Sequence, residues 1–258
     1  MKTEGIGHHL LYGRRPVYEA LRAGRRVFKR LVLAEGADMT APPVREIIEQ
    51  AKARNLRVGM ARRDWLDQQA HGANHQGVLL EAGPYPYVAL EDVLALAAER
   101  SEPPFLLLLD LIQDVQNVGT LLRTAEAVGV HGVVLQERRS AEITPAVVNA
   151  SSGAVEHLRV ARVTNLVQAM KTLKQADVWL AGLDLGADAV RYDQANLRGA
   201  LGLVVGSEGE GLRRLVRETC DFIIGLPMRG HVESLNAAVA GSIALYAAWQ
   251  ARGFEGQK

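Results

Sequence analysis

Cysteine is nearly missing from this sequence: Cys220 is the only one in 258 residues. One thiol excludes a disulfide framework and a thiolate metal cage, and it fits a reducing compartment. Long apolar runs are missing as well. Stretches such as Phe105–Leu109 fall far short of the about 20 residues that a membrane-crossing helix needs. The opening MKTEGIGHH has no apolar signal core, so a soluble, cytoplasmic protein is expected. The seven histidines include no His-Glu-x-x-His spacing, so no metal is expected. No Gly-x-x-x-x-Gly-Lys-Ser/Thr occurs, and no Gly-x-Gly-x-x-Gly follows the strand candidate at 105–110, which argues against a P-loop and against a Rossmann site.

Net charge is only +1, but it is unevenly spread. Residues 1–81 carry 14 Lys and Arg against 9 Asp and Glu, a balance of +5; the remainder carries 16 against 20, a balance of −4. Arg14 to Arg30 holds seven basic residues and one acid, Glu19. Such a stripe suits phosphate neutralisation, and arginine forks pair phosphate oxygens two at a time. A solvated helix face is the alternative reading. Arg14, Arg15, Arg25 and Arg26 are the candidate RNA contacts.

Hydrophobic periodicity predicts two α/β units. The first alternates a helix at 14–21, strands at 30–34, 56–60 and 77–80, and helices opened by Pro42-Pro43 and at 64–70. A connector is read at 83–104, with a helix over 90–99, so the expected domains are 1–82 and 105–258. The second unit alternates near-continuous apolar strands at 105–110, 132–136, 158–160, 178–183, 201–205 and 222–225 with helices, ending in a long one over 235–252. That pattern predicts a parallel sheet with ligands beyond the carboxyl ends of its strands. The last residues, GFEGQK, read as a fraying tail.

Three strand-end loops carry the candidate chemistry. The first, 111–125, holds Asn117, read as the N-cap of the next helix, then Gly119 and Arg123. The second is Gly206-Ser207-Glu208-Gly209-Glu210-Gly211. The third runs from Leu226 through Ser234 to Asn236 at the start of the last helix. Taken singly, each has a plain structural reading: turn glycines, Ser234 as a cap, Arg123 as an exposed helix residue. Cys220 reads as a small packing residue.

Together, DVQNVGTLLRTAEAVGV, LVVGSEGEGL and LPMRGHVESLNAAVA resemble the three motifs of the SpoU (TrmH) branch of the SPOUT methyltransferases. They lie closest to its large-subunit ribosomal RNA guanosine 2′-O-methyltransferases. YGRRPVYEAL and NHQGVLL resemble that family's small, ribosomal-protein-like substrate-binding domain. The resemblance implies transfer of a methyl group from S-adenosylmethionine to a ribose 2′-hydroxyl of RNA, without a metal. It also implies a catalytic domain ending in a trefoil knot, and a homodimer. Gly206, Leu226 and Leu235 would contact the cofactor; Asn117, Arg123, Glu208, Ser234 and Asn236 would form the catalytic set. A transfer RNA substrate, or a non-catalytic RNA-binding or assembly factor, are the alternatives. One departure stands out: Asp-Val-Gln-Asn occupies 114–117 where the family usually has proline after the aspartate.

Overall fold

The computed structural model describes residues 9–138 and 140–257, so Lys258, the last of the expected tail, lies outside the described residues. Two compact units form: one from the residues up to Pro86 with Ile143–His157, the other from Tyr87–Glu142 with Leu158–Lys258.

The first unit runs β1 (His9–Tyr12), α1 (Arg14–Ala23), β2 (Phe28–Ala34), α2 (Pro42–Ala53), β3 (Arg57–Ala61), α3 (Arg63–Gln69) and β4 (Val78–Ala82). Its four strands lie in the order β1-β4-β2-β3, with β2 and β3 parallel and the other pairs antiparallel. α2 opens at its two prolines, whose fixed φ suits a first turn, and buries Val44, Ile47, Ile48 and Ala51. β1 was not anticipated; its four residues are too few to show a period.

The second unit runs α4 (Leu90–Glu99), β5 (Phe105–Asp110), α5 (Val115–Ala127) and β6 (Gly132–Gln136). The chain then contributes α6 (Pro145–Ala150) and a 3-10 turn, Ala154–His157, to the first unit. It returns as β7 (Arg159–Val163), α7 (Leu166–Gln175), β8 (Trp179–Leu183), β9 (Val190–Arg191), β10 (Leu201–Gly206), α8 (Arg214–Thr219), β11 (Phe222–Gly225) and α9 (Ala237–Ala251). All strand pairs of this sheet are parallel, in the order β7-β6-β5-β10-β8-β11-β9. β5 and β10 are buried along their whole length, as central strands of a sheet covered on both faces must be. A Cβ on Gly241 of α9 would sit 2.5 Å from Leu121 and 3.3 Å from Val205, so glycine there lets α9 lie close to α5 and β10.

Three expectations need correction. Residues 87–104 are not a free connector: Leu90 and Val93 of α4 enter the second unit's core beside Leu106 and Leu108. The described part of the tail is held in place: the Trp249 indole donates to the Glu255 carbonyl at 3.0 Å and Phe254 stacks edge-on against Trp249. Residues 143–157 leave the second unit altogether. A buried ion pair anchors the excursion: Glu156 accepts from Arg26 Nε at 2.9 Å and Nη2 at 2.6 Å, with side chains 1% and 0% exposed. A charge that deep requires its partner, which ties the excursion to β2's approach.

Candidate active site

The carboxyl ends of β8, β10 and β11 open into a cavity of about 430 Å³, within the size range of small-molecule sites. Leu183, Leu226 and Leu235 give it apolar wall, while Asp184, Glu208 and Glu233 give it carboxylates. Its base is the glycine turn after β10. A Cβ on Gly206 would meet the Gly211 carbonyl at 2.2 Å, so only glycine allows the turn to fold back on itself. Apolar wall, carboxylates and exposed main chain together suit a small ligand with both an apolar and a positively charged part.

Asn117, Glu208 and Asn236 meet beside this cavity. Asn236 donates to Asn117 Oδ1 at 2.9 Å and to Glu208 Oε2 at 3.3 Å; Asn117 donates to the same Glu208 oxygen at 3.2 Å. Asn236 is also the N-cap of α9, accepting from the amides of Ala238 and Val239 at 2.9 and 3.2 Å. Those two donors fix its oxygen toward the helix, which leaves its NH2 for Asn117 and Glu208. The cap of α5 differs from expectation. Asp114 holds that position and accepts from the Asn117 amide at 2.8 Å, so Asn117 sits inside the first turn with its side chain released for Glu208. Asp114 thus orders the turn in which the family's proline is absent.

Gly206, Leu226, Leu235, Glu208, Ser234 and Asn236 all line the cavity. Ser234 lies two residues ahead of the α9 cap and does not serve as one. Arg123 is exposed on α5 and is not part of the cavity lining. Burial pushes the Cys220 thiol up to about 12, and it donates to the Val216 carbonyl, so it packs as a neutral group.

Two bracing acids escaped the sequence reading. Asp110, fully buried at the end of β5, accepts from the Arg213 amide at 2.9 Å and Nε at 2.7 Å, and Arg213 also reaches Gln136 at 2.8 Å. This clamp holds the exit of the glycine turn to the ends of β5 and β6. Its only signal was an acid closing the apolar run FLLLLD. Asp184, in the cavity wall, accepts from Arg217 Nε at 3.2 Å.

In the first unit the basic stripe is mostly neutralised from within. Arg26 is a correction: its guanidinium is buried against Glu156 and cannot face a phosphate. Arg25 is half-buried and donates to Tyr85, Pro86 and the Glu156 carbonyl. Arg15 pairs with Glu19 at 2.6 Å, and Arg14 donates to the Gln76 carbonyl at 3.2 Å; both remain exposed.

Comparison with known proteins agrees with this layout. The SpoU rRNA Methylase family matches residues 104–246, and the RNA 2′-O ribose methyltransferase substrate-binding family matches residues 10–88. A Bacillus subtilis protein named for the TrmH family of tRNA/rRNA methyltransferases, YacO, is 41% identical over 95% of this chain and 96% of its own length. The crystal structure of the SpoU methyltransferase AviRb from Streptomyces viridochromogenes, in complex with AdoMet, covers 96% of this chain and 92% of its own, with a TM-score of 0.78 and 22% identity. A TrmH/SpoU tRNA-modifying enzyme of A. aeolicus covers 65% and 86%, with a TM-score of 0.53 and 26% identity. The chain belongs to the SpoU family, the S-adenosylmethionine-dependent RNA 2′-O-ribose methyltransferases.

Proposed function

We propose that the cavity at residues 206–211, 226 and 235 holds S-adenosylmethionine, and that the acceptor is a guanosine ribose in large-subunit ribosomal RNA. The junction of Asn117, Glu208 and Asn236 against a glycine-lined cavity carries this reading. Bound there, the cofactor supplies an already activated methyl group. The protein's task is alignment, which contributes roughly 7–11 kcal/mol in favourable cases, and handling of the hydroxyl proton. Glu208, steadied by two amide donors on one oxygen, has its second oxygen to orient a ribose hydroxyl. The Arg123 guanidinium acts as an electrostatic activator of a developing alkoxide or a holder of the neighbouring phosphate. Ser234 supplies a neutral hydrogen bond from the cavity wall.

The first unit is the RNA-binding domain in this reading, and the second the catalytic domain, with the family's knot and cytoplasmic homodimer. The exposed apolar residues Val239, Ile243 and Tyr246 of α9 support pairing of two copies. A transfer RNA acceptor is the second reading, favoured by the names tRNA/rRNA methyltransferase borne by relatives. Mass spectrometry of RNA from cells lacking the protein tests both. Loss of one 2′-O-methylguanosine from large-subunit RNA supports the first; loss from transfer RNA supports the second; an unchanged methylation map overturns both.

A further inference from the structure

Arg26 is buried, and Arg15 and Arg22 both turn onto Glu19, so the exposed cations of α1 are partly neutralised; a second set of exposed arginines stands apart from them. It follows the β2–β3 edge. A groove of about 540 Å³ opens there between the sheet face and α3. Its floor is Val32 and Gly59, and a Cβ on Gly59 would meet nothing within 4 Å, so the floor is flat and open. Trp65 forms the wall, half-buried on the small core of Val32, Ala34, Leu66 and Leu79. Arg30 lies over the Trp65 ring, 5.9 Å from its centroid. Arg57 stands opposite Arg30 in register, and Arg62 closes the end with its side chain 76% exposed. Against these stand Glu81, paired with Arg30 at 2.6 Å, and Asp64, paired with Arg62 at 2.9 Å. Such exposed pairs are weak and yield readily to a phosphate.

We propose that this groove binds an unpaired segment of the substrate RNA, with a nucleobase stacked on Trp65 and flanking phosphates on Arg57 and Arg62. The proposal rests on the reading of this unit as the RNA-binding domain. Unpaired bases present a π-face to aromatic rings and arginine planes, whereas a duplex keeps its faces stacked inside. An open floor beside an aromatic wall, rimmed by guanidinium groups, matches that chemistry. It also places RNA contacts on β3 and α3 rather than on the α1 stripe.

The test uses the full chain and two probes, a 12-nucleotide oligouridine and a 12-base-pair RNA duplex. Trp65→Ala is expected to weaken oligouridine binding by roughly tenfold, with Trp65→Phe within about threefold of wild type. Arg57→Glu with Arg62→Glu is expected to reduce the salt slope by about 1.4, the loss of two single-strand phosphate contacts. S-adenosylmethionine affinity should be unaltered in all of them. Should Trp65→Ala fail to fold, the exposed arginine pair decides by itself. Oligouridine affinity within twofold of wild type in folded Trp65→Ala, or in the arginine pair variant, overturns the proposal. So does weakening confined to the duplex, or a changed sedimentation coefficient with intact RNA affinity, which would mark the β3 edge as a protein contact. A wild-type chain that binds oligouridine in this manner yet methylates no RNA would sink the proposed function and leave the groove standing.

Discussion

Asn236 donates its side-chain amide to Asn117 Oδ1 across 2.9 Å, joining residues 119 positions apart in the chain. The same amide group reaches Glu208 at 3.3 Å, while the Asn236 oxygen caps α9. One residue therefore connects the start of the last helix, the glycine turn and the first turn of α5. Helix stability and site geometry depend on different atoms of that side chain, so the two roles separate by substitution.

Asn236→Ala is expected to lower stability by about 1 kcal/mol, the usual cost of a lost cap, together with turnover. Asn236→Asp keeps the cap, since a carboxylate at a helix N-terminus is favourable, but faces Glu208 with a second negative charge. Thermal melting near wild type with much reduced methyl transfer is the expected result. Full turnover in Asn236→Asp would remove the amide donor from the mechanism.

Gly206→Ala tests the cavity. The added methyl would overlap the Gly211 carbonyl, so the glycine turn has to open. Calorimetry should show S-adenosylmethionine affinity reduced by well over tenfold, with a folded protein. Affinity within threefold of wild type would place the cofactor elsewhere.

Breaking the Arg26–Glu156 pair leaves one buried charge without its partner. Glu156→Ala or Arg26→Ala is expected to cost about 3–5 kcal/mol in denaturant unfolding. The double substitution should cost much less than the sum, because the stranded charge is then gone. Additive losses would mean that the two residues act independently. A fragment ending at Pro86 lacks Glu156 and should not unfold cooperatively.

His131 sets an acid limit on stability. Its Nδ1 accepts from the Phe105 amide at 3.0 Å, so Nε2 carries the hydrogen and donates to Glu102 at 3.0 Å. Burial holds its pKa below the usual 6.5, against the opposing pull of Glu102. The unfolded chain takes up a proton near 6.5 and the folded chain only at lower pH. Stability from this site is therefore present above 6.5 and declines as pH falls from there toward the folded value. The melting temperature of wild type should drop more steeply between pH 7 and 5 than that of His131→Gln. Parallel curves would contradict the assignment.

Much of this architecture was legible from apolar pattern. Phe105–Asp110, Gly132–Gln136 and Leu166–Gln175 carry enough period or continuous burial to place their ends. β1 and the two-residue β9 are too short for any period. Long-range polar pairing was not legible: nothing local in Glu156 says that it joins Arg26, 130 positions away. The cavity wall was found through motifs, because glycine, serine and apolar main-chain turns leave a sequence signature. The bracing acids Asp110 and Asp184 were not, because one reads locally as the last residue of a strand and the other as a loop acid, and neither sequence position shows its arginine partner. The stripe at Arg14–Arg30 was visible as charge, but charge alone does not tell a phosphate contact from a buried ion pair.

The central claim is that this chain places a methyl group on a ribose oxygen. Incubating the protein with deuteromethyl-labelled S-adenosylmethionine and unmodified large-subunit ribosomal RNA, then digesting to nucleosides for mass spectrometry, reads it directly. Label on the 2′-oxygen of guanosine, abolished in Glu208→Ala, is the predicted result. Label on a base, or none on any RNA supplied, would contradict it.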